Sequence, residues 1–215
     1  MEKKITATIN FVKKELTKAE SGHDWFHVER VWKMAKHIAK EEKVNLLVVE
    51  LAALLHDIAD AKFHDGNEDI GPQKAYTFIK TIGVNEDIAI HVTNIIRYMS
   101  FKAQIGSVPF SSPEMNVVQD ADRLDAIGAI GIARTFNYGG FKNRLIYDPE
   151  IKPNPNQNKE EYKNSSAPTI NHFYEKLLLL KEKMNTLAGK RMAEERHRFM
   201  QNFLDQFFDE WEGNK

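Results

Sequence analysis

The apolar run Leu46-Leu47-Val48-Val49-Glu50-Leu51-Ala52-Ala53-Leu54-Leu55 leads directly into His56-Asp57-Ile58-Ala59-Asp60. Leu54, Leu55 and Ile58 mark a buried segment. A carboxylate carried into such a segment is costly unless it is paired or bound to metal. Asp57 therefore sits at a pocket or meets a cation. A neutral imidazole and an ionised carboxylate are both ligands for a divalent metal. A core histidine beside a helix-end aspartate is the plainer alternative, and the dipeptide alone does not choose between them.

The rest of the chain reads as helices around that run. Ile5, Ile9, Val12 and Leu16 recur at helical spacing over residues 5–19, and Ser21-Gly22 ends that segment. Asp24 is placed to cap a helix running to about Glu42, with Val28, Val31, Trp32, Ala35 and Ile38 as its buried stripe. His27 lies one turn before Val31 on that stripe and faces inward. Asn45 is the expected cap of the Leu46–Leu55 helix. A polar loop over residues 60–70 precedes helices over Gly71–Thr81 and Asn85–Met99, and a further loop covers residues 100–111. Ser112-Pro113 opens a helix expected to run to Asn137. Residues 138–168, with Pro149, Pro153 and Pro155, read as a long flexible loop or flap. Thr169 is placed to cap a helix carrying Tyr174, Leu177, Leu178 and Leu180, and a last helix spans Leu187 to Trp211. There is no strand signal, so the expected fold class is all-α.

Composition narrows the function classes. The 215 residues carry a formal charge of −1, which supplies no global basic field for nucleic acid. The chain has no cysteine, which removes thiol catalysis, disulfides and cysteine zinc sites. No apolar run reaches the roughly 18 residues that span a bilayer, and the N-terminus shows no signal-peptide pattern. A cytoplasmic protein without nucleic-acid or membrane partners is the expectation.

Two further strings bear on the His-Asp pair. Upstream is His23-Asp24-Trp25-Phe26-His27-Val28-Glu29-Arg30-Val31. Downstream is Asp120-Ala121-Asp122-Arg123-Leu124-Asp125-Ala126-Ile127-Gly128-Ala129-Ile130-Gly131-Ile132-Ala133-Arg134. Asp122 and Asp125 are three residues apart and share a helix face, whereas Asp120 points elsewhere. The ordered set His … His-Asp … Asp resembles the HD superfamily of metal-dependent phosphohydrolases, and the fuller strings resemble the small stand-alone bacterial hydrolases of the YedJ/YpgQ type. The resemblance runs from about Gly22 to Gly140. It implies a single HD-type helical domain over residues 1–215, with the metal core at about 22–140 and C-terminal helices at about 169–212 packing on it.

By that resemblance the metal ligands are His27, His56, Asp57 and Asp122, the last being the aspartate directly before Arg-Leu. Asp60 matches an acidic position that acts on the attacking water, and His23, one turn before His27, is a candidate to support the metal ligands. Lys62, Arg97, Lys102, Arg123 and Lys142 are candidate phosphate contacts, with Asp125 as a further substrate contact or a salt-bridge partner. His91 would suit a second metal, but the helix end Ile96-Arg97-Tyr98-Met99-Ser100 lacks the histidine seen in two-metal relatives, so one ion is expected. Two nitrogens and two carboxylates suit Mn first, with Ni, Co, Fe, Zn or Mg as alternatives. The implied reaction is hydrolysis of a nucleotide, a triphosphate going to monophosphate and pyrophosphate by water attack on phosphorus. An alarmone or monophosphate hydrolase, or a non-catalytic nucleotide-binding module, are the alternatives. The expected partner is a small nucleotide or phosphoester, and the chain itself is a monomer or homodimer.

Overall fold

The computed structural model describes residues 1–18, 24–59, 67, 69–99, 110–157 and 165–215. Among these residues the structure is all helical: α1 Glu2–Glu15, α2 Trp25–Ile38, α3 Leu46–Leu55, α4 Ile70–Thr81, α5 Glu86–Tyr98, α6 Pro113–Asp125, α7 Gly128–Phe141, α8 Asn171–Glu175 and α9 Leu187–Trp211. Short 3-10 turns cover Leu16–Lys18 and Leu177–Lys183. The chain divides into two compact units, Met1–Asp122 and Arg123–Lys215, with the division inside α6.

In the first unit α3 is the central helix. Val48, Val49, Leu51, Ala52, Ala53, Leu54 and Leu55 are all buried, as expected of a helix apolar on every side. It packs against α1, α2 and α5, and α4 packs against α5. Its start is fixed by Asn45, whose Oδ1 accepts from the Leu47 and Val48 amides at 3.1 and 3.4 Å. Glu114 near the start of α6 accepts from the Asn45 amide at 2.8 Å. Gln119, one turn before Asp122, donates to the Met99 carbonyl at the end of α5 at 3.0 Å. These bonds seat α6 beside α3 and α5, which places Asp122 within reach of the end of α3.

In the second unit α7 and α9 pack together, and α9 also meets the 3-10 turn. Phe136, Phe173 and Phe203 form its aromatic centre, with ring centroids 5.8 to 6.1 Å apart. Tyr147 stands edge-on to Phe207, Phe208 and Trp211.

Three expectations are corrected. The helix expected to run from Ser112 to Asn137 is two helices, broken at Gly128, whose φ of 75° is a left-handed conformation that costs glycine little. A Cβ there would also lie 2.9 Å from Arg196 Cγ. The expected loop over residues 138–168 begins inside α7, which runs to Phe141 because Gly139 lets Thr169 approach where a Cβ would be only 2.2 Å from its Oγ1. Beyond α7, described residues of this stretch are held by backbone-acceptor bonds: Thr169 and Ile170 donate to the Leu145 and Ile146 carbonyls at 2.8 and 3.0 Å, and Asn171 Nδ2 donates to Ile151 O at 2.9 Å. Thr169 does not cap the next helix. Its hydroxyl donates to Leu145 O, and the leucine run that follows is a 3-10 turn after a five-residue helix.

Candidate metal centre

Two helix ends present the histidines. Asp24 caps α2, its Oδ1 accepting from the His27 amide at 2.9 Å, so the residue that starts the helix also fixes the turn that carries His27. His27 is 2% exposed. At the other end α3 stops at Leu55, and His56-Asp57 lie in the turn beyond it. The last carbonyls of a helix lack intrahelical partners. Here the Ala53 carbonyl takes His56 Nδ1 at 2.9 Å. A carbonyl can only accept, so Nδ1 carries the proton and the His56 Nε2 lone pair points outward.

That lone pair faces the other imidazole. His56 Nε2 and His27 Nε2 are 3.3 Å apart, with the rings at 67° to each other. Asp57 Oδ2 lies 3.9 Å from His27 Nε2. Asp122 Oδ1 lies 3.5 Å from His27 Nε2 and 3.9 Å from His56 Nε2. His27, His56 and Asp57 each offer a donor atom within 4.8 Å of the others, and together they can hold a metal ion. Donors about 2.0–2.2 Å from a shared ion lie roughly 3–4 Å from one another, which is the spacing seen. Two neutral imidazoles and two carboxylates also match a divalent charge. Asp122 is the more open donor, its side chain 43% exposed against 3% for His27.

The other sequence candidates fall into two groups. His23, Asp60, Lys62 and Lys102 lie outside the described residues. Of the described ones, the Arg97 guanidinium pairs with Asp69 at 3.1 Å, and Arg123 donates to the Lys183 carbonyl. Asp125 is buried and ion-paired with Arg134, which also donates to the Asp125 carbonyl at 3.3 Å. Lys142 sits 5.2 Å from the Phe141 ring centroid and 5.7 Å from that of Tyr138, on the surface. His91 Nε2 contacts Ser112 Oγ at 2.9 Å and Glu114 Oε2 at 3.5 Å, at the start of α6. Sequence reasoning missed the Ala53 carbonyl, which aims His56, and Arg134, which holds Asp125. The first carries no residue signature. The second was signalled only by an arginine nine residues past Asp125.

Comparison with known proteins identifies the family. The family model for the HD domain matches residues 25–127. Uncharacterized protein YpgQ of Bacillus subtilis is 41% identical over 198 residues, 91% of this chain and 88% of that protein. A crystal structure described as an HD-superfamily hydrolase from Bacillus thuringiensis is 47% identical, covers 99% of this chain and 98% of its own, and has a TM-score of 0.79. The structure of Bacillus subtilis YpgQ in complex with ADP is 36% identical over 97% of this chain and 95% of its own, with a TM-score of 0.77. The order His27, His56-Asp57, Asp122, the all-helical fold and these near full-length relatives lead to one conclusion: the chain belongs to the HD superfamily, alongside YpgQ.

Proposed function

We propose that the protein is a divalent-metal-dependent nucleotide phosphohydrolase that converts a nucleoside triphosphate to its monophosphate and pyrophosphate, with Mn as the preferred ion. The observation that carries this reading is the pair of Nε2 atoms 3.3 Å apart, flanked by Asp57 and Asp122. The complex of YpgQ with ADP supports a nucleotide as the ligand class. When bound, a divalent ion supplies Lewis acidity at a phosphoryl oxygen and lowers the pKa of a coordinated water.

The chain's own residues then divide the work. His27 and His56 would hold the ion with their Nε2 atoms, and the Ala53 carbonyl keeps the His56 lone pair aimed. Asp57 and Asp122 would balance its charge, Asp122 from the more solvent-exposed position. Asp60 is assigned the proton from the attacking water, and His23 a supporting role beside His27. Lys62, Lys102 and Lys142 are assigned the phosphates. Arg97, Arg123 and Asp125, already engaged by protein groups, serve the substrate only by giving up or sharing those partners. The test is incubation of each nucleoside triphosphate with the protein and Mn, followed by separation of products. Monophosphate plus pyrophosphate, abolished in His56→Ala with its helical spectrum retained, supports the proposal. Diphosphate plus orthophosphate, or no turnover with any nucleotide, refutes it.

A further inference from the structure

The interface between α2 and α3 contains a buried carboxylate that the chemistry above does not use. Glu50 is the one charged residue of α3, and it is 5% exposed. Its Oε2 accepts from the indole Nε1 of Trp32 on α2 at 2.8 Å. On the other side of the indole, Lys36 Nζ lies 3.9 Å from the ring centroid. A cation over the face draws electron density from the ring and strengthens the N–H as a donor. Burying a carboxylate against a neutral donor is expensive, and an apolar residue of similar size would suit so apolar a helix better. Stability alone therefore does not account for Glu50.

Its place along the helices does. Trp32 is five residues after His27, and Glu50 is six residues before His56. At 1.5 Å rise per residue these offsets are about 7.5 and 9 Å. The bond thus lies nearly the same distance from the histidine pair along both helices, which run antiparallel there. A slip of one residue between α2 and α3 moves the donors by about 1.5 Å, which is large beside the 3.3 Å Nε2–Nε2 separation. We infer that Trp32 and Glu50 are a positioning pair that pins the axial register of α2 against α3 and so holds His27 opposite His56 at metal-binding distance. The inference rests on the metal reading for its consequence, although the register itself can be observed without metal.

The experiment compares wild type with Trp32→Phe, Glu50→Leu and Glu50→Gln in the full chain. Mn affinity is read by titration calorimetry, and the ring-to-ring NOE between His27 and His56 is read in metal-free protein. Trp32→Phe and Glu50→Leu are expected to weaken Mn binding by about tenfold or more, the scale typical of groups that orient ligands, and to weaken the NOE. Glu50→Gln keeps an acceptor for the indole and should bind Mn within about threefold of wild type. Far-UV spectra and urea unfolding separate lost register from lost fold, and Trp32→Phe decides if Glu50→Leu does not fold. Wild-type Mn affinity and an intact NOE in both disruptive variants overturn the inference. So does a Glu50→Gln variant as impaired as Glu50→Leu. If wild type binds no metal but shows an NOE that Trp32→Phe removes, the metal reading fails and the register role stands.

Discussion

An alanine at Gly131 tests how tightly the chain closes the turn after the aspartate-rich helix. A Cβ at that position would lie 2.2 Å from the Ala126 carbonyl oxygen and 2.6 Å from its carbon. Both are backbone atoms, so neither rotates away, and the oxygen must retreat by about 0.8 Å to reach even the 3.0 Å floor of real contacts. Forcing a packed backbone apart in this way costs about 3–5 kcal/mol. Alanine returns about 1 kcal/mol through its better helix propensity. The net loss is about 2–4 kcal/mol, which for a chain of this length lowers the melting temperature by roughly 5–12 °C. Gly140, in the last turn of the same helix, has no atom within 4 Å of its would-be Cβ. Gly140→Ala should therefore raise stability by about 0.5–1 kcal/mol. The assay is thermal unfolding followed by far-UV circular dichroism, with the two variants measured against wild type. A Gly131→Ala protein that melts at or above wild type would refute the packing argument, and a destabilised Gly140→Ala would refute the control.

Further outcomes concern the buried histidine and the ion pairs. Burial, with Lys176 and Arg144 nearby, lowers the His172 pKa from 6.5 to about 3. The unfolded chain therefore binds a proton that the folded chain refuses between those two values, so this stability is present above pH 6.5 and lost as pH falls toward 3. By pH 5 the loss is about 2 kcal/mol, and urea unfolding of His172→Gln should show a correspondingly flatter profile between pH 7 and 5. A slope equal to wild type would count against the assignment. Asp125→Ala removes the partner of a half-buried Arg134 and should cost about 2–4 kcal/mol in urea unfolding, whereas Arg97→Ala, losing an exposed pair with Asp69, should cost under about 1 kcal/mol. Equal losses would mean that burial does not separate these two ion pairs.

What could be read from the sequence was mostly local. Asp24 and Asn45 were legible as caps because a cap needs only a side-chain oxygen and the next turn, and both make the expected bonds. The bounds of α9 match the expected Leu187–Trp211, and the structure adds that Thr186 fixes its start by accepting from the Gly189 amide. His27 was legible as inward-facing from the stripe of α2. The break between α6 and α7 was not, because a glycine inside a helical pattern carries no sign of the left-handed φ that Gly128 adopts. The Leu177–Lys183 turn was hidden by a run of leucines that satisfies a helix equally well. At the site, residue types and their order put forward His27, His56 and Asp57, which the structure brings within 4.8 Å of one another. The facing of the two Nε2 atoms depends on how α2 registers against α3 and on one backbone carbonyl, and neither appears in a motif. A salt bridge was an open reading for Asp125, but its partner Arg134 and the pairing of Arg97 with Asp69 were hidden likewise, since charged residues in a plausible site look the same whether they wait for a substrate or already have a partner.

The most direct test of the central claim is a calorimetric titration of metal-stripped protein with Mn, repeated on His56→Ala and Asp57→Ala. One equivalent bound by wild type, with at least about a hundredfold weaker binding in either variant whose fold is retained, is the predicted result. Wild-type Mn binding unchanged by both substitutions, or none in wild type, would contradict a metal centre at His27, His56 and Asp57.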